Sequence, residues 1–231
     1  MQTKTVLLAK ITDNYFEFNN RKYFRENAHN MQLGTFGEKK DPIGSRAYVD
    51  VESKVSAEHI ASRMKYVTTA ELDWTQVSSG NVGLNGHMPL FGLDGKMAVS
   101  TSYEKGKAAK VKLMDFEIDE GPLKTMLNKD ANAARNFLAK EGNDGRICSG
   151  IWVWVDGGVA ETVATATSIS VSVDDGTKGL SVTATGGKRG TYTMTITSGT
   201  TYAYKLHKVK DWTDRHKTQI DNLEADWKGI G

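Results

Sequence analysis

The stretch Val163-Ala-Thr-Ala-Thr-Ser-Ile-Ser-Val-Ser-Val173 alternates without a break. Val163, Thr165, Thr167, Ile169, Val171 and Val173 fall on one side; Ala164, Ala166, Ser168, Ser170 and Ser172 fall on the other. An extended chain turns successive side chains to opposite faces, so this stretch predicts a strand with one apolar and one small, hydroxyl-rich face. The pattern resumes in Leu180–Thr185 after a turn of Asp, Gly, Thr and Lys, and again in Thr191–Thr197 after Gly186-Gly-Lys-Arg-Gly190. In that last piece Tyr192, Met194 and Ile196 oppose Thr191, Thr193, Thr195 and Thr197. Glycine-rich turns between alternating runs predict antiparallel hairpins.

Upstream, Ile151–Val155 (IWVWV) is continuously apolar and predicts a strand buried on both faces. Lys96–Tyr103 and Ala109–Ile118 read as further strands, and Ala47–Val51 as a short one. Three segments carry helical spacing. Ser56 is placed to cap Ala57–Tyr66, where Ile60, Met64 and Val67 recur. Leu123–Lys140 carries a stripe of Leu123, Met126, Leu127, Ala134, Phe137 and Leu138, stopped by Gly142 and Gly145. Lys210–Lys228 places Trp212, Ile220, Leu223 and Trp227 on one side. The expected fold class is therefore α+β, a twisted and mostly antiparallel sheet with peripheral helices.

Composition narrows the function. The 231 residues hold 30 Lys and Arg against 28 Asp and Glu, a net charge of +2 that argues against nucleic acid as a partner. A single cysteine, Cys148, allows no intramolecular disulfide and favours a reducing compartment. Met1–Thr12 lacks the apolar core of a secretory signal, and no stretch approaches the length of a spanning helix.

Catalytic signatures are missing. The histidines (29, 59, 87, 207 and 216) form no HExxH or other paired-ligand spacing, and there is no nucleophile elbow, phosphate loop or GxGxxG. Cys148 reads as a half-buried structural thiol, and Asp73, Asp115, Glu117, Asp119 and Glu120 as a solvated face. The expectation is a protein that is not an enzyme, with no cofactor and no metal.

The hydroxyl-faced strands admit two readings. They are the wet side of a β-sandwich, or they are strands able to join a barrel across a bilayer. Spanning takes about 9–11 residues with apolar side chains toward lipid and small polar ones toward the lumen. Val163–Val173 has that length and no charge.

Thr193–Leu206 (TMTITSGTTYAYKL) resembles the end of the gasdermin pore-forming domain, where a Thr/Ile strand runs through a turn into an Ala-aromatic-basic-apolar strand. Ile151–Thr162 resembles that family's apolar strand before its second pore hairpin. Val111–Leu127 followed by Leu138–Gly145 resembles its strand, helix and turn in the same order. The likeness covers roughly residues 80–209.

The resemblance implies a gasdermin N-terminal-domain-like fold over 1–209 and a cytoplasmic protein that oligomerises into a membrane β-barrel pore and kills the cell. Its inserting hairpins would be Gly83–Ile118 and Val159–Thr197. Val163, Ile169, Val171, Val173, Tyr192, Met194 and Ile196 would face lipid, and Lys107, Lys110, Lys188 and Arg189 would meet headgroups. Residues 210–231 would form a short autoinhibitory helix through Trp212, Ile220, Leu223 and Trp227, released by an activating protease, unless the chain acts uncleaved. The implied partners are membrane lipids, further copies of the chain, and that protease.

A second expectation is a non-enzymatic structural or binding module, immunoglobulin-like or phage-structural, with Val163–Thr201 as short sandwich strands. A sugar-binding variant of it rests on Trp74 and Trp152 as exposed aromatics.

Overall fold

Gly145–Val155 is buried along its whole length, and four other strands pair with it. The structure is a computed structural model that describes residues 8–12, 15–43, 45–75, 77, 87–91, 97–174, 179–187 and 190–228. In chain order the elements are β1 (Leu8–Ile11), β2 (Tyr15–Phe18), β3 (Arg21–Phe24), β4 (Thr35–Lys40), β5 (Tyr48–Lys54), α1 (Ala57–Ala61) and β6 (Lys65–Leu72). Then come β7 (His87–Phe91), β8 (Met97–Ser102), α2 (Tyr103–Ala108), β9 (Lys112–Glu117), α3 (Glu120–Lys129), α4 (Asn132–Glu141), β10 (Gly145–Val155) and α5 (Gly157–Ala164). The chain ends in β11 (Ser168–Asp174), β12 (Gly179–Gly187), β13 (Gly190–Ile196), β14 (Thr201–Trp212) and β15 (Ile220–Asp226).

The α+β expectation holds, and pairing is mostly antiparallel; β1–β6 and β7–β10 run parallel. The twelve-stranded sheet is not open. β14 pairs with both β3 and β10, so β14, β3, β2, β1, β6, β9 and β10 close into a seven-stranded barrel. β15, the β4–β5 hairpin and the β7–β8 hairpin extend from its wall.

Alternation along β10 explains the closure. Trp152 and Trp154 point into the barrel, where Phe16, Phe18 and Tyr23 pack around Trp152 with ring centroids 4.7, 5.2 and 5.4 Å away. Tyr202 packs on Trp154 at 4.6 Å. Ile151, Val153 and Val155 point outward into a second core with Leu123, Met126 and Leu138 of the helices. Each aromatic buries roughly 150–250 Å². A ring of strands converging on two tryptophans therefore removes more apolar surface from water than an open sheet would.

Four expectations are corrected. Ala57–Tyr66 is helical only over α1: Ser62 ends the helix, and Lys65 already belongs to β6, whose pairing with β9 overrides the local spacing. Leu123–Lys140 is two helices, broken at Asp130–Ala131. Val163 is not in a strand; it lies buried in the last turn of α5, which Asp156 caps by accepting from the Gly158 N–H at 2.7 Å. Extended structure begins at Ser168.

The fourth correction concerns the C-terminus. Lys210–Lys228 is not a helix, because β14 runs to Trp212 and returns as β15. Two register shifts in that hairpin, between Val209 and Asp211 and between Asp211 and Trp212, leave Ile220, Leu223 and Asp226 as the buried positions of β15. A bulged strand thus reproduces the three-residue spacing of a helix. Asp214 shapes the turn, accepting from the His216 N–H at 2.7 Å and from the Thr218 hydroxyl.

Candidate functional site

β11, β12 and β13 form a sheet of their own; none of their strands pairs with the barrel sheet. Its registers place Ser168, Thr185 and Thr191 in one row, Ser170, Thr183 and Thr193 in the next, and Ser172, Ser181 and Thr195 in the third. One face is thus a three-by-three grid of hydroxyls, with the Thr183 and Thr193 hydroxyls hydrogen-bonded across it at 2.9 Å and the Asp174 carboxylate at its end accepting from the Thr195 hydroxyl at 3.3 Å. The other face is an apolar grid: Ile169, Ala184 and Tyr192; Val171, Val182 and Met194; Val173, Leu180 and Ile196. Tyr192, Met194 and Ile196 are buried against the body, whereas Ile169, Val171 and Val173 are half-buried. α1 and α5 lie beneath this face.

The remaining predicted residues are scattered. Lys107 is exposed in α2, and Lys110 is exposed just after it with a left-handed φ of 50°. Lys188 and Arg189 lie outside the described residues, as do 83–86 and 92–96 of Gly83–Ile118, whose other residues include β7, β8, α2 and β9. Ile220 and Leu223 are buried positions of β15, Trp212 is half-buried, and Trp227 is 39% exposed. Trp152, expected at the surface, is fully buried in the barrel, and Trp74 is half-buried near Trp154.

Sequence reasoning missed a second place, the barrel mouth. On β9, Leu113, Asp115 and Glu117 share the inward face; only Leu113 is apolar, which breaks the hydrophobic pattern without revealing why. Asp115 and Glu117 are buried rather than solvated. Lys205 of β14 donates to Glu117 Oε2 at 2.9 Å, reaching across β10. It does so over Gly150, where a Cβ would stand 3.0 Å from Glu117 Cγ and 3.2 Å from Lys205 Cβ.

Next to this pair, His207 Nδ1 lies 2.7 Å from Ser149 Oγ, and its Nε2 lies 4.0 Å from Glu120. Burial, and then the neighbouring Lys205, push the imidazole down to about 4, so it is neutral at pH 7. Burial and the Glu117 charge hold the Asp115 carboxyl well above the usual carboxylate range. Asp115 Oδ1 has no hydrogen-bond partner among the described residues. A cleft of about 720 Å³ opens over Glu117, Lys205 and His207, rimmed by Asn20, Arg21, Lys22 and Trp227.

The hydroxyl facing His207 belongs to Ser149, which is fully buried and also lies 3.5 Å from the Lys205 carbonyl oxygen. Cys148 is fully buried, burial pushes its thiol far up, and its Sγ donates to the Gly150 carbonyl at 3.4 Å. Among the described residues no group of three or more His, Cys, Asp or Glu is placed to hold a metal. Among the described residues no helix is long and apolar enough to cross a membrane.

No protein family, curated protein or solved structure matches the chain.

Proposed function

We propose that the protein is a non-catalytic, gasdermin-like membrane-permeabilising protein whose β11–β13 sheet inserts into lipid as copies of the chain assemble. The observation that carries this reading is the paired grid: nine hydroxyls on one face and nine apolar positions on the other, in a sheet not bonded to the barrel. A sheet so divided suits either a wet lumen and lipid or, at rest, water and the protein core.

Length sets the demand on insertion. β11 and β13 have seven residues and β12 nine, while spanning takes about 9–11. Insertion therefore requires both β11 and β13 to lengthen: unwinding of α5 would add Val163 to an extended Val163–Val173, and β13 would have to run on past Ile196. Lys107 and Lys110, exposed on the same chain, are available for anionic headgroups. An activating protease would cut the exposed turn between β14 and β15 and would then have to strip β15 from the sheet.

Dye release from anionic liposomes tests the reading. Val171→Asp puts a carboxylate in the middle row of the apolar grid at a half-buried position. The variant should stay folded and lose most of the leakage; leakage equal to the parent chain would remove this sheet from the mechanism.

The runner-up is a structural or binding module. It is favoured by the fact that the apolar grid is already covered and the hydroxyl grid already wet, as in any one-sided antiparallel layer. A chain that stays monomeric and leaves vesicles intact fits that reading.

A further inference from the structure

We propose that the cleft at the barrel mouth is a binding site for an uncharged, hydroxyl-rich ligand, a monosaccharide or the end residue of a glycan. The proposal stands apart from the membrane reading and does not depend on it.

Barrel mouths are common places for small-molecule sites, because several strands deliver side chains to one spot on a rigid wall. Here Arg21 comes from β3, Glu117 from β9, and Lys205 and His207 from β14. Charge selects the ligand class. Arg21, Lys22 and Lys205 face Glu117, Asp119 and Glu120 around the cleft. Two of these carboxylates are already engaged, Glu117 by Lys205 at 2.9 Å and Asp119 by Lys65 at 2.6 Å. A balanced rim exerts little net pull on an ion. It does present donors and acceptors side by side, and each sugar hydroxyl is both.

Two further features fit that class. Trp227 is 39% exposed and is held edge-to-face on Tyr23, with centroids 6.3 Å apart at 90°. An exposed indole anchored in this way offers a flat apolar surface for the C–H side of a pyranose ring. Asp115 lies one inward position below Glu117, is only 3% exposed, and keeps Oδ1 without a partner among the described residues. Buried polar atoms are rarely left so, and a water or hydroxyl reaching down from the cleft would complete it.

The experiment is a titration of the full chain, labelled with ¹⁵N, with glucose, galactose, mannose and N-acetylglucosamine. Its second arm uses the same sugars as immobilised glycan ends. Expected are saturable shifts confined to residues 20–22, 117–120, 205–207 and the Trp227 indole, with roughly millimolar affinity for a free sugar. Saturation in solution identifies a free sugar as sufficient; capture only on the immobilised arm identifies a glycan end. Trp227→Ala should weaken binding at least about tenfold. If that variant misfolds, the shift map of the parent chain still decides. No saturable shift and no capture, shifts mapping elsewhere, or undiminished binding by Trp227→Ala would each overturn the proposal.

Discussion

Asp226 takes its charge into the protein at 2% exposure, and Lys39 and Arg146 follow it in at 3% and 6%. Its Oδ2 accepts from Lys39 Nζ at 3.0 Å and from Arg146 Nε at 2.7 Å, and its Oδ1 accepts from the Lys228 N–H at 3.0 Å. Removing one member of such a group strands the others in a poor solvent. Asp226→Asn should therefore cost about 3–5 kcal/mol in denaturant unfolding; a loss below about 1 kcal/mol would mean that water reaches the triad. Gly150→Ala should cost about 1–3 kcal/mol, since its methyl must push apart Glu117 and Lys205. An unchanged midpoint would show that the pair does not cross β10 there. His207 has a folded pKa of about 4 against 6.5 in the unfolded chain, so between these values the unfolded state binds the extra proton. Stability should fall as pH drops from 6.5 toward 4, by up to about 3 kcal/mol. His207→Gln should flatten that slope, and an unaltered slope would assign it to other groups. Asp115 works in the opposite sense: raised in the fold, it destabilises as pH climbs above 3.8. Between about pH 4 and 6.5 the two effects oppose each other, so the net slope there is shallower than His207 alone would give.

Among the elements, the sharpest contrast is between β10 and the β11–β13 sheet. β10 is bonded to strands on both sides and buried at every residue, whereas the small sheet has two edges without barrel partners and one wet face. Hydrogen exchange should show β10 and β14 as the slowest amides and β11 and β13 as clearly faster. Equal protection throughout would deny the small sheet the independence that insertion requires. This is also the scale on which the sequence was most and least legible. Ile151–Val155 and the Ser/Thr runs announce themselves because burial on both faces, or on one, leaves a periodic trace. The start of β11 was misplaced because the alternation continues backwards through α5, where Asp156 and the alanines favour helix. β15 was misread because its bulges imitate helical spacing. The barrel mouth was hidden for a different reason: Asp115, Glu117, Lys205 and His207 gain meaning only when strands far apart in sequence are brought side by side.

For the whole molecule, closure is the governing fact. One pairing, β10 with β14, joins the middle of the chain to its C-terminal hairpin and seals the aromatic core within. β15 pairs onto β14 beside that wall and is tied to β4 and β10 through the Asp226 triad, so it is not a separable helix laid on the surface. The small sheet shares no strand pairing with the wall and is held to it by side-chain packing in the outer core. Under the proposed function the barrel stays and the three-stranded sheet leaves it for lipid. The most direct test is dye release from anionic liposomes by the full chain, run both intact and nicked within residues 213–219. The account predicts release by at least one form, abolished by Val171→Asp. Vesicles left intact by both forms would contradict it.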